Sequence, residues 1–301
     1  MKIKKNLPLL VFLAIVLALF VGYRTWKTYT TDVTPPVITY DNTVMEISVH
    51  DDQSMLLAGV TASDDCDGDV SNSLMIEKIG VINEDHEFVV TVAAFDTSGN
   101  VTKVRRNVRY VDYESPKFDL ASPLLFLYGR DVNVTSCITA NDLIDGDISQ
   151  RIKFTALSDG AITAEGVHDL MFRVTNSRGD TSELIIPIEV YPAGDYNATL
   201  LLSDYLVYIP TGESFDAKEY LQYYKYDDTS VFLGSALPPA YRLTTRGVVD
   251  TSKPGVYPVS YTLSYTVDKY TYTAYSKLIV IVEGLEIWNI QTINMCWIPV
   301  L

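Results

Sequence analysis

The chain has 301 residues, a formal charge of −15 and 48% hydrophobic residues. A chain this acidic cannot bind nucleic acid by neutralising phosphates, so that class of partner is excluded. Cys66, Cys137 and Cys296 lie far apart and are odd in number, so no disulfide framework is implied.

The first element in chain order is membrane-directed. Lys2, Lys4 and Lys5 form a basic head over residues 1–6. A strongly apolar run from Leu7 to Gly22 follows and ends against Tyr23, Arg24, Trp26 and Lys27. A basic head, a uniform apolar stretch and interfacial aromatics predict a single-pass anchor over residues 7–27, with the N-terminus inside and the rest of the chain outside a cell membrane. The alternative is a cleaved signal peptide. It is weakened because the exit reads Phe20-Val21-Gly22-Tyr23, with no Ala-x-Ala site. No Cys follows the run, which excludes a lipoprotein anchor. Residues 1–33 carry five basic side chains against Asp32, which leaves −19 for the remainder. Such a segment stays soluble and repels anionic surfaces.

Beyond the anchor the chain repeats, as a search for internal periods shows. Ala62-Ser63-Asp64-Asp65 leads to Asp67-Gly68-Asp69-Val70-Ser71. Ala140-Asn141-Asp142-Leu143 leads to Asp145-Gly146-Asp147-Ile148-Ser149, with Gly146 lying 78 residues after Gly68. A second block, Asp96-Thr97-Ser98-Gly99-Asn100, recurs as Asn176-Ser177-Arg178-Gly179-Asp180 at an offset of 80. Each unit opens on proline, Thr34-Pro35-Pro36-Val37 and Ser115-Pro116-Lys117-Phe118. Prolines favour stiff, extended connections.

Within each unit the period is two. Val90, Val92 and Ala94 alternate with Thr91 and Ala93, and Leu170, Phe172 and Val174 alternate with Met171, Arg173 and Thr175. This predicts half-buried strands, joined as hairpins across the Gly99 and Gly179 loops. No helical period follows the anchor. A third, divergent unit is marked by Pro254-Gly255-Val256-Tyr257, which parallels Glu165-Gly166-Val167-His168 and precedes the alternating Val259, Tyr261, Leu263 and Tyr265. It lacks Asp-Gly-Asp; Tyr226-Asp227-Asp228 stands near the expected place, and Lys277 to Val282 supplies the closing strand. The predicted fold is all-β, tandem immunoglobulin-like β-sandwich domains behind one transmembrane helix, with units at 34–112, 115–192 and 194–284. Residues 285–301 are unassigned; they contain one charge, Glu286, and no Leu-Pro-x-Thr-Gly sorting motif.

The string Gly59-Val60-Thr61-Ala62-Ser63-Asp64, then Asp67-Gly68-Asp69-Val70-Ser71, then Phe95-Asp96-Thr97-Ser98-Gly99-Asn100 resembles bacterial immunoglobulin-like repeats. These are related to hyalin-type repeats and occur in surface proteins and in a pesticidal crystal protein. The resemblance spans residues 34–283, strongly over the first unit and weakly over the last. Unit one departs from the pattern at Glu84-Asp85-His86-Glu87, where the family has Pro-Gly-x-Tyr. The resemblance implies surface display or adhesion and no catalysis; fold alone does not fix function.

Candidate chemistry is sparse. Asp64, Asp65, Asp67 and Asp69, with Asp142, Asp145 and Asp147, are the candidate calcium ligands, since calcium takes about six to eight oxygens. An EF-hand is rejected, because the Glu it needs six positions after its Gly is replaced by Leu74 and Ile152. The favoured alternative is a tight Asp-Gly turn with flanking carboxylates bonded to local backbone N–H groups. His50, His86 and His168 are isolated, and there is no zinc pair, nucleophile elbow or phosphate loop. An enzyme is therefore not expected. The third unit holds 14 of the 21 tyrosines. Tyr220, Tyr223, Tyr224 and Tyr226 are the candidate ligand-binding set, as tyrosine offers large contact area and stacks on sugars; the alternative is that they are strand residues, half of them inward. The expected partners are the membrane, through the helix, and an extracellular protein or a glycan.

Overall fold

In the computed structural model the apolar run is one helix, α1 (Leu7–Thr30), of 24 residues. Pro8 is accommodated in its first turn, where no backbone N–H is required. The span Leu9–Lys27 has a mean hydropathy of 2.1 and none of it is covered by the rest of the fold. The helix runs three residues beyond the expected Lys27, giving a length of about 36 Å at 1.5 Å per residue, against about 30 Å of hydrocarbon. The structure describes residues 7–157, 160–192, 198–234, 237–267 and 269–284. The basic head and residues 285–301 lie outside the described residues.

Everything described after α1 is strand, turn or single-turn 3-10 helix. The chain divides into two compact units between Asp112 and Tyr113. The first unit carries one sandwich. Its strands are β1 (Val37–Thr39), β2 (Met45–Ile47), β3 (Thr61–Asp64), β4 (Gly68–Asp69), β5 (Met75–Ile79), β6 (Glu87–Phe95) and β7 (Val101–Tyr110). They form two sheets, β1-β3-β4 and β2-β7-β6-β5. The β2–β7 pair is parallel, with Met45 opposite Val108; the long β6–β7 hairpin closes over Asp96–Asn100 as the alternation predicts. Val90, Val92, Ala94 and Val108 are fully buried.

The second unit repeats that topology twice. Sandwich two comprises β8 (Lys117–Leu120), β9 (Leu125–Leu127), β10 (Ile138–Asp142), β11 (Gly146–Asp147), β12 (Lys153–Ala156), β13 (Gly166–Thr175) and β14 (Thr181–Tyr191). Its sheets are β11-β10-β8 and β12-β13-β14-β9. Sandwich three comprises β15 (Ala198–Leu202), β16 (Leu206–Pro210), β17 (Leu221–Tyr226), β18 (Thr229–Phe232), β19 (Tyr241–Arg246), β20 (Gly255–Val267) and β21 (Tyr270–Glu283). Its sheets are β15-β17-β18 and β16-β21-β20-β19. β9 pairs parallel to β14, and β16 parallel to β21. The divergent third unit thus has the same seven-strand plan, and the chain is a set of tandem immunoglobulin-like sandwiches. β13 starts at Gly166 and β20 at Gly255, so the two matched glycine motifs open equivalent strands.

Sandwiches two and three share one continuous hydrophobic core, running from Phe118 and Leu124 to Tyr261 and Val282. The Tyr208 hydroxyl donates to the Phe118 carbonyl at 3.2 Å and accepts from the Phe118 amide at 3.1 Å. Ser276 to Val282 of β21 is buried at every position. Both faces of this strand are covered, which is why Leu278 to Val282 is continuously apolar rather than alternating.

Candidate functional site

The Asp-Gly-Asp segments are the β3–β4 and β10–β11 turns. Gly68 and Gly146 adopt φ of 74° and 69°, a left-handed conformation that glycine takes without strain. Asp64 Oδ1 accepts from the amides of Cys66 at 2.9 Å and Asp67 at 3.0 Å. Asp142 Oδ1 accepts from Ile144 at 2.9 Å and Asp145 at 2.8 Å. Asp69 accepts the Ser71 amide, and Asp147 the Ser149 amide, each at 2.9 Å. Those serine contacts hold both carboxyls below the ordinary range.

The middle aspartates tie the two repeated motifs of each unit together. Asp67 accepts from the Thr97 amide at 2.7 Å and hydroxyl at 2.8 Å, and Asp145 from the Ser177 amide at 2.7 Å and hydroxyl at 2.6 Å. Asp145 also pairs with Arg151. Burial pushes the Asp145 carboxyl up, but Ser177 and Arg151 outweigh it and hold the carboxyl low. Asp67, Asp69, Asp142, Asp145 and Asp147 each spend at least one oxygen on a local donor, and among the described residues they do not gather into a ligand group.

What does gather is a set the Asp-Gly-Asp pattern only half contains. Asp32, Asp64, Asp65 and Cys66 each present a ligand atom, all within 4.8 Å of one another. Asp32 comes from the segment just after α1, and its Oδ1 accepts the Thr34 amide at 2.8 Å. Desolvation pushes the Cys66 thiol up, and the carboxylates of Asp32, Asp65, Asp64 and Asp67 push the same way. The thiol is therefore held neutral and unreactive. Cys137 is buried in the core of sandwich two.

The tyrosines separate by strand alternation. Tyr224 is fully buried and donates to the Tyr272 carbonyl at 2.7 Å, so it is corrected from ligand contact to core residue. Its ring meets Tyr241 edge-on at 5.4 Å. Tyr226 packs against Tyr265 and Tyr272. Tyr220 stacks on Phe215 with centroids 5.7 Å apart. Tyr223 alone of the four faces outward, 38% exposed, beside Phe232, which is 64% exposed. Phe232 belongs to a different strand, and no cluster in the sequence marks it.

No protein-family profile matches the chain. An uncharacterized 81.3 kDa protein of Acholeplasma phage L2 is 34% identical over 86 residues, 29% of this chain and 11% of that protein. The chain thus spans about a tenth of that relative's length. Among solved structures, mouse cadherin-23 EC22-24 aligns over 83% of this chain and 99% of its own at 13% identity and a TM-score of 0.21. A carbohydrate-binding module with INT domains from Clostridium perfringens ZmpB aligns over 83% and 42% at 13% identity and 0.22. A lipoprotein of Bacteroides thetaiotaomicron aligns over 55% and 98% at 11% identity and 0.21. At these scores the likeness says nothing about ligand or activity.

Proposed function

We propose that the chain is a membrane-anchored bacterial surface protein whose tandem immunoglobulin-like sandwiches act, without catalysis, as an extracellular stalk and adhesion or protein-interaction module. The observation that carries this reading is α1. Its 19-residue apolar span has no surface of the fold against it, and sandwich one begins within a few residues of its end. A helix this apolar needs a bilayer to cover it, since soluble sandwiches supply their own cores. The test is expression of the full chain in a bacterium, followed by membrane fractionation and protease treatment of intact cells. The reading requires full-length protein in the membrane fraction and sandwiches digested from outside. A shortened, soluble product would overturn it in favour of a removed signal.

A second reading has its own observation. Tyr223 and Phe232 form an exposed aromatic pair on neighbouring strands of one sheet. Such rings stack on sugar faces, which fits a carbohydrate-binding accessory protein of an envelope polysaccharide system. On this reading the full chain is retained by an immobilised envelope polysaccharide and the Tyr223→Ala/Phe232→Ala double variant is not. Equal behaviour of the two proteins would leave the protein-interaction reading standing.

A further inference from the structure

Asp64 and Asp142 occupy equivalent turns, but their second oxygens meet opposite fates. In sandwich two, Asp142 Oδ2 accepts from Asn176 Nδ2 at 3.0 Å, with the Tyr113 hydroxyl at 3.4 Å. In sandwich one, Asp64 is 8% exposed and its Oδ2 reaches no donor. The reason lies in the aligned positions. The offset of 80 that places Gly99 on Gly179 places Asp96 on Asn176 and Val33 on Tyr113. The amide donor has become an acceptor, and the phenol beside it an apolar side chain.

A further carboxylate enters the same place. Asp32 also spends Oδ1 on a local turn, and its Oδ2 is likewise buried without a donor. Asp65 completes the group, whose atoms lie within 4.8 Å of one another. No ion pair among the described residues involves Asp32, Asp64 or Asp65. Three carboxylates this close carry concentrated negative charge, two of them have a buried oxygen with no donor, and such an acceptor costs about 1–3 kcal/mol. A divalent cation removes both penalties.

We propose that Asp32, Asp64 and Asp65 bind one calcium ion, which fastens the chain leaving α1 to the first sandwich and has no counterpart in the second. The donors are hard carboxylate oxygens, the set calcium prefers, with water filling the remaining positions. Cys66 offers the one soft donor of the group against three hard carboxylates; zinc would select its sulfur, calcium would not. A site with only three carboxylates belongs with the weak sites, whose dissociation constants are about 10⁻⁴ to 10⁻³ M, since affinity falls with the number of charged ligands. This inference stands apart from adhesion and needs only the fold of sandwich one.

The experiment is calcium titration calorimetry on the full chain in detergent micelles, together with amide hydrogen exchange over residues 31–36. The expected result is one calcium per chain, with exchange slowed at least tenfold. Asp32→Asn and Asp65→Asn, both outside the core, are each expected to weaken binding at least tenfold and abolish the slowing, while Cys66→Ser binds as the parent does. No heat up to about 10 mM calcium, ten times the weak end of the range, would overturn the proposal. So would two ions per chain, unchanged affinity in Asp32→Asn, or binding of zinc in preference that is lost in Cys66→Ser.

Discussion

The Tyr113 hydroxyl donates to Asp180 at 2.7 Å and accepts from Asn176 at 2.7 Å, both inside sandwich two. Burial and then Asp180 push its ionisation far above the ordinary phenol range, so it remains a hydroxyl at every physiological pH. Tyr113→Phe keeps the ring and removes the bonds. It is expected to cost about 1–3 kcal/mol in urea denaturation, the cost of stranding buried polar partners. The turn aspartates make a second residue-level prediction. Asp69 and Asp147 have folded pKa values below the unfolded value of about 3.9. The unfolded chain therefore binds more protons as pH falls through that region, and the stability these groups contribute is present above about pH 4 and lost below it. Denaturation midpoints measured from pH 7 down to 3 should stay level and then fall. Asn at position 69 and at position 147 should flatten the drop.

At the level of strands, the buried stretch of β21 contains Lys277, 4% exposed, with Glu189 of β14 at 3.4 Å. Burial pulls the ammonium below its ordinary value, while Glu189 and Asp169 pull it back up. Glu189→Gln leaves a buried cation without its counter-ion and is expected to cost about 3 kcal/mol, whereas Lys277→Met, which leaves only a partly solvated carboxylate, should change stability by less than about 1 kcal/mol. Chemical denaturation of the two variants distinguishes them. The long hairpins were legible from sequence because their alternation runs over about ten residues. The three-residue strands β1, β2 and β9 were not, since so short a segment shows no period, and parallel pairing such as β2 with β7 joins residues some sixty apart. The cation group was half legible for the same reason. Asp64 and Asp65 stand in a motif, but Asp32 meets them only after the chain has folded back. The tyrosine cluster misled because adjacency in sequence, Tyr223 next to Tyr224, places side chains on opposite faces of β17.

For the molecule as a whole, two compact units across three sandwiches predict two cooperative unfolding steps in calorimetry rather than three. Phe172→Ala, in the shared core, should cost about 3–5 kcal/mol and lower only the step of the second unit. Val92→Ala should lower only the other. A third separate step would show that sandwich three unfolds alone. The parallel pairing of β2 with β7, β9 with β14 and β16 with β21 has a mechanical side. In each sandwich an early strand lies alongside the last one and points the same way. Tension applied through the two ends of the chain therefore slides the pair lengthwise, loading all the bridging hydrogen bonds at once instead of peeling them singly. A tether pulled at its far end would meet this resistance three times in series, and single-molecule stretching would read it as high rupture forces at small extension.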